Sequence, residues 1–172
     1  MTPNELEKIV PTLKLIKAPN PILNKKCKPM EWCWGMNELT YAMLDIMRKS
    51  NGIGLAAPQV GLSIRFLVAE VGDQIITMGN PEIIERSEEK EWKDEGCLSF
   101  PGVDVPILRS KMIKVRGTIA TDYVTTYEVN GLMARVVQHE IDHLDGICHV
   151  KYLDRNKRRQ VMSALKKQKK RG

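Results

Sequence analysis

Gln138-His139-Glu140-Ile141-Asp142-His143-Leu144-Asp145-Gly146 is the stretch around which the chain is organised. It contains HExxH. On a helix, positions i and i+4 share a face, so His139 and His143 can offer two imidazoles to one metal ion. Glu140, next to the first of them, can reach a water on that ion and take its proton. Leu132, Met133, Val136, Val137, Ile141 and Leu144 recur at mostly helical spacing, and Gly131 and Gly146 bracket the run, Gly146 as a helix stop. The same pattern suits a buried amphipathic helix whose histidines only satisfy core hydrogen bonds. The motif by itself leaves both readings open.

The 172 residues suffice for one domain with a sizeable core. An apolar fraction of 42% and a charged fraction of 28% are ordinary for a soluble globular protein. No run approaches the roughly 18 apolar residues of a membrane span. The start, MTPNELEKIV, carries acids and no apolar signal-peptide core, which predicts a cytoplasmic protein. Cys27, Cys33, Cys97 and Cys148 do not make a disulfide framework in a chain of this size, so the thiols are expected free or metal-bound. The net charge of +6 is uneven. Residues 151–172 carry ten Lys/Arg against Asp154 alone, whereas residues 1–150 carry 17 Lys/Arg against 20 Asp/Glu. The basic character belongs to the tail, which can meet a polyanion; the body has no such need.

Upstream, Pro3, Pro11, Pro19, Pro21 and Pro29 favour extended segments and turns over a long helix in residues 1–36. Trp32 and Trp34 are expected to pack. Asn37 is expected to cap a helix running to about Lys49, with Thr40 at its third position and Leu39, Met43, Leu44, Ile46 and Met47 on its apolar face. Ser50-Asn51-Gly52 ends it. Residues 64–71 read as a buried strand, Gly72-Asp73 as a turn and residues 74–78 as the returning strand. Residues 81–91 are polar and read as a strand with an exposed loop. Residues 112–129 are rich in β-branched side chains, with Asp122 linking two strands of a hairpin or meander. Asp154 can cap a last, strongly basic helix in which Val161, Met162 and Leu165 are apolar. No repeat or linker is visible, so residues 1–154 read as one domain and residues 155–172 as a basic helical tail. The order of elements predicts an α+β fold: antiparallel strands packed around the HExxH helix, with a preceding helix and a basic C-terminal one.

Two histidines do not complete a catalytic metal site, which has three protein ligands and an open position. Two candidates offer the third. Residues 139–149, HEIDHLDGICH, match HExxHxxGxxH, the metzincin protease pattern, with His149 as ligand. That reading lacks a Met-turn downstream, since Met162 sits in a basic helical stretch. The other candidate is Cys97 in Glu95-Gly96-Cys97-Leu98-Ser99, whose flanking glycine would let the backbone approach an ion closely. GIGLAAP also mimics the GxGxxA of dinucleotide sites, but a helix precedes it and Pro58 blocks helix propagation after it.

Taken together and in order, GIGLAAPQ (52–59), EGCLS (95–99) and QHEIDH (138–143) resemble the three signature motifs of the peptide deformylases, each along its full length. The resemblance implies Cys97, His139 and His143 as metal ligands and makes the match at His149 a coincidence. It implies removal of the formyl group from the N-formylmethionine of new polypeptides, with release of formate. Glu140 would act as general base and then as acid towards the amine. The Gln59 side-chain amide and the Leu98 backbone N–H would stabilise the developing oxyanion. Ile53, Gly54 and Gly96 would grip an extended substrate by backbone pairing, and Leu132 and Val136 would line a methionine-sized pocket. Glu95 and Arg109 are expected to pair and to fix the cysteine loop. Arg135, one turn before His139, is expected at the cleft mouth or solvated.

The resemblance further implies Fe(2+) as the ion, although Cys/His/His also accepts Zn(2+). It implies docking of the basic tail (Arg155, Lys157, Arg158, Arg159, Lys166, Lys167, Lys169, Lys170, Arg171) to ribosomal RNA. Two other classes compete with this reading. One is a metzincin-like zinc endoprotease using His139, His143 and His149; the other is a nucleic-acid-binding protein with a structural metal.

Overall fold

In the computed structural model, residues 2–33, 35–120 and 123–169 are described. The expectations for Trp34, for the Asp122 link and for Lys170 and Arg171 lie outside them. The helices are α1 (Pro3–Ile9), α2 (Met36–Lys49), α3 (Gly131–Leu144) and α4 (Arg155–Lys169). The strands are β1 (Gly54–Ala56), β2 (Phe66–Val71), β3 (Gln74–Arg86), β4 (Lys90–Glu95), β5 (Val105–Ser110), β6 (Met112–Ala120) and β7 (Tyr123–Asn130). All pairings between these seven strands are antiparallel. Five strands form one sheet in the order β1-β2-β3-β6-β7, and β4 and β5 form a second of two strands. This is the expected α+β architecture, and α3, the HExxH helix, lies against both sheets.

The core explains that placement. Met133, Ala134, Val136, Val137, Ile141 and Leu144 of α3 are buried against Leu67 and Ala69 of β2, Met78 of β3 and Ile113 and Val115 of β6. Burying a Met, Val, Ile or Leu side chain stabilises by about 1.5–3 kcal/mol, and the same helix also buries His139, Glu140 and His143. The helix ends as expected. Gly146 has φ 71°, and a Cβ there would lie 2.8 Å from the Lys25 carbonyl carbon, so both the turn and the packing require glycine. A second cluster packs α1 and α2 against β1 and β2 through Leu6, Leu39, Met43, Met47, Leu55 and Phe66, with Trp32 edge-on to Phe66 at 6.0 Å.

Several local expectations are corrected. α2 starts at Met36, not after Asn37: Gly35 takes the left-handed conformation at the N-cap, and Met36 is drawn in because it is buried. Among the described residues before α2 the prolines leave one α-helix, the seven-residue α1, in keeping with the expectation of no long helix, though α1 itself is not among the sequence expectations. Pro3 sits at the start of α1, where its missing N–H costs nothing, and Thr2 and Glu5 close a capping box. Residues 74–86 form one strand, continuing beyond the expected end at Met78. Its register shifts between Gly79 and Glu82 make a bulge, where Asn80 has φ 49° and holds the Met30 backbone through both side-chain atoms. The strands β1, β4 and β5 are not among the sequence expectations. Asp154 does cap α4, accepting from the N–H groups of Asn156 and Lys157, each at 2.9 Å.

Candidate metal centre and substrate cleft

Three donor atoms converge where α3 meets the loop after β4. The Cys97 sulfur and one nitrogen each of His139 and His143 all lie within 4.8 Å of one another. Cys97 Sγ is 3.2 Å from His143 Nε2, and the two imidazole rings stand 4.9 Å apart at 71°. Tetrahedral coordination with ordinary metal–sulfur and metal–nitrogen bonds separates ligand atoms by roughly 3.3–3.6 Å, so the donor set fits one ion. The second nitrogen of His139, Nδ1, is committed to Glu95 Oε2 at 2.9 Å, which leaves Nε2 for the ion.

Glu95 anchors this arrangement. It is buried, and its carboxylate accepts two hydrogen bonds from Arg109, both at 2.9 Å, and one from Arg135 at 2.8 Å, besides its contact with His139. Burial works to raise its pKa, but Arg109 and His139 outweigh burial and hold it at about 2. The expected Glu95–Arg109 pair is therefore present as an ion pair. Arg109 also reaches Asp142 Oδ2 at 2.7 Å, and Tyr152 donates its hydroxyl to the same oxygen at 2.8 Å. Arg109 thus ties β5 to both the cysteine loop and α3. Of the two places expected for Arg135, the structure gives the first: it lines the cleft and is buried, not solvated. It donates to the carbonyls of Ile107 and Glu91 as well as to Glu95, joining α3 to β4 and β5. Sequence reasoning misses this because an arginine one turn before a ligand shows no sign of its distant acceptors.

Glu140 lies beside the cluster at 3% exposure, and its Oε2 has no hydrogen-bond partner among the described residues. Burial raises its carboxyl to a pKa of about 7, with His139 acting in the opposite sense. Burial also opposes protonation of His139, but its contacts with Cys97 and Glu95 prevail and its pKa stands well above the ordinary value. His143, buried and beside His139, is pushed well below it.

A cleft of about 600 Å³ opens beside this cluster. Ile53, Gly54, Gln59, Glu95, Gly96, Cys97, Leu98, Leu132, Val136, His139 and Glu140 all line it, so the structure brings together most of the residues singled out from the sequence. His143 lies fully buried behind, and Arg109 supports from the far side of Glu95. Gly54 has no room for a side chain: a Cβ there would collide with Glu140 Oε1 and lie 2.6 Å from Val136 Cγ1. β1, which carries Gly54, is an edge strand of its sheet, and Ile53 and Gly54 line the cleft. In Gln59, Oε1 accepts the Ala56 N–H at 2.8 Å, which turns Nε2 towards Cys97 Sγ at 3.6 Å and Ser99 Oγ at 3.3 Å.

His149 is buried but faces elsewhere. Its Nε2 donates to the Val103 carbonyl at 2.9 Å, and its ring stands edge-on to Phe100 at 5.2 Å. It approaches His139 only ring to ring, at 5.9 Å, and is not among the converging donors.

The fold and the Cys/His/His cluster on an HExxH helix define a metal-dependent hydrolase. A sequence model of the polypeptide deformylase family matches residues 12–159. The peptide deformylase of Dictyoglomus thermophilum is 47% identical over 132 residues, 76% of this chain and 86% of that protein. That of Carboxydothermus hydrogenoformans is 44% identical over 143 residues, 82% of this chain and 93% of the relative. Among solved structures, the peptide deformylase of Thermotoga maritima aligns with a TM-score of 0.77 at 40% identity, over 81% of this chain and 95% of that one. The Ehrlichia chaffeensis enzyme in complex with actinonin aligns with a TM-score of 0.86 at 32% identity, over 91% and 96%. The chain belongs to the peptide deformylase family. The endoprotease alternative is not favoured.

Proposed function

We infer that the protein hydrolyses the formyl amide of N-formylmethionyl peptides, yielding formate and a free amino terminus. The observation that carries the site assignment is the buried Glu140 carboxyl, with one unpartnered oxygen, beside the converging donors of Cys97, His139 and His143. Those three residues hold one divalent ion; we assign Fe(2+), and the same donors suit Zn(2+). When bound, such an ion polarises the formyl carbonyl and lowers the pKa of a water towards neutrality. Glu140 accepts the proton of the water that attacks the formyl carbon and delivers it to the nitrogen as the C–N bond breaks. The Gln59 Nε2–H and the Leu98 backbone N–H donate to the oxyanion that develops; losing one such donor costs about 3–4 kcal/mol of transition-state stabilisation. Ile53 and Gly54 on the β1 edge, and Gly96 opposite, pair with the substrate backbone, while Leu132 and Val136 take up the methionine side chain.

The test is formate release from formyl-Met-Ala-Ser in anaerobic, reducing buffer. Glu140→Ala is expected to lower the rate by about 10²–10⁴-fold while retaining metal. Full activity in Glu140→Ala, or cleavage of internal peptide bonds in place of formate release, contradicts the assignment.

Residues 1–154 act as the catalytic unit in this reading, and residues 155–172 as a docking appendage. Supporting this, Leu165 of α4 is buried with Leu23, Phe100 and Val150, while Arg155, Lys157, Arg159, Lys166 and Lys167 are exposed. In this reading the exposed cations meet ribosomal RNA close to the emerging chain, and the protein works in the cytoplasm. No helix among the described residues is long and apolar enough to cross a membrane. Changing those five residues to Gln keeps α4 docked. The expected result is ribosome association that is weaker and less salt-dependent, with hydrolysis of short peptides unchanged. Unaltered ribosome binding rules the docking out.

A further inference from the structure

The stretch of residues 15–18 has so far no task, yet it runs between the loop of Gln59 and the loop of Cys97. Leu15 and Lys17 line the cleft. Between them, the Ile16 N–H donates to the Gln59 carbonyl at 2.7 Å, and the Ala18 N–H donates to the Ser99 carbonyl at 2.8 Å. The Ser99 hydroxyl closes the arrangement: it donates to the Ile16 carbonyl at 2.8 Å and lies 3.3 Å from Gln59 Nε2. Ser99 is fully buried.

We propose that Ser99, held by the Ile16 carbonyl, is a positioning residue that aims the Gln59 side-chain amide at the reacting formyl oxygen. The proposal rests on the reading of Gln59 as an oxyanion donor. A serine hydroxyl has one proton, and here it is spent on Ile16. Towards Gln59 the oxygen can therefore only accept, which makes the amide nitrogen, not the amide oxygen, the atom that must face it. On the other side, the Ala56 N–H demands the amide oxygen at 2.8 Å. These two demands are independent and agree, so a flipped amide would lose both hydrogen bonds and set donor against donor at Ala56. The nitrogen carries two protons. With one fixed on Ser99, the other is directed along the Cys97 side of the cleft, where Nε2 lies 3.6 Å from the sulfur. An oxyanion donor acts through being oriented before the charge develops, so an acceptor that fixes the donor contributes to the rate without touching substrate. The main chain repeats the restraint: Ile16 holds Gln59 through its N–H and Ser99 through its carbonyl, so one residue sets the distance between the two loops.

A double-mutant cycle on formyl-Met-Ala-Ser hydrolysis tests this, with metal content and thermal unfolding recorded for each protein. Ser99→Ala in the otherwise native enzyme is expected to lower kcat about tenfold with KM within about twofold, because the donor is made only in the transition state. In a Gln59→Ala background the same change is expected to cost less than about twofold. Ser99→Cys, which keeps the side-chain shape in a slightly larger group with a poorer acceptor, carries the same cycle if the alanine variant unfolds. An equal loss in both backgrounds would show that Ser99 serves only the packing of the loop and would overturn the proposal. No loss in either background overturns it as well. Undiminished kcat in Gln59→Ala alone removes the donor reading of Gln59, and the proposal with it.

Discussion

The loop carrying Cys97 and the turn carrying His149 are two ways for one helix to acquire a third ligand, and they differ in what holds them. His149 follows α3 directly and fits a known spacing, but its imidazole donates to the Val103 carbonyl and packs on Phe100. Cys97 is 42 residues before His139 in the chain, yet its loop is tied to the helix by the Glu95 carboxylate, which touches Arg109, Arg135 and His139 at once. A ligand is made by what orients it, and proximity in sequence does not supply that. The two regions also differ electrically. The Cys97 side gathers anionic and cationic groups in a paired network, whereas His149 is kept neutral by burial, which lowers its pKa.

If the Glu95 network is what distinguishes the regions, disturbing it should weaken the metal site far more than disturbing the turn. Glu95→Gln is expected to lower metal affinity by about 10–100-fold, the usual cost of losing a partner that orients a ligand imidazole. His149→Phe should leave affinity within about twofold. Competition with a chromophoric chelator measures both. Equal losses in the two variants would erase the distinction.

A separate effect lies in acid stability. Glu95 has its pKa lowered to about 2 from an ordinary 4.5, so its contribution is complete above 4.5 and is lost as pH falls through about 2. The metal-free protein should therefore lose up to about 3 kcal/mol of unfolding free energy across that window, in addition to what other carboxylates lose. Urea unfolding at several pH values reads this, and the extra slope should vanish in Glu95→Gln. A slope unchanged by that substitution would show that the pairing does not stabilise the fold.

What the sequence discloses and what it conceals divide along the same line. The HExxH helix, its stop at Gly146, the Asp154 cap and the β2–β3 hairpin at Gly72-Asp73 are legible because their causes are local: helical spacing, a side-chain cap, a two-residue turn. The three converging donors and the cleft residues fall in three separated motifs, which the family resemblance picks out. β4, of sequence Lys-Glu-Trp-Lys-Asp-Glu, shows no apolar alternation, because its two-stranded sheet buries only Glu95 in that strand. β1 is three residues long and buried throughout, too short for any period to show. α1 is hidden by the proline that starts it. Arg135 and Ser99 are hidden for a further reason. Each is defined by distant backbone carbonyls, those of Ile107 and Glu91 for one and of Ile16 for the other, and a carbonyl leaves no trace in residue type.

The central claim is that the Cys97 thiolate, with His139 and His143, holds the ion and that His149 does not. The absorption spectrum of the cobalt-loaded protein addresses it directly, since a thiolate on cobalt(II) gives a charge-transfer band in the near ultraviolet that imidazole does not. The band should be present in the native protein, absent in Cys97→Ser and unaltered in His149→Ala. A band that survives Cys97→Ser, or cobalt that is lost only from His149→Ala, would contradict the assignment.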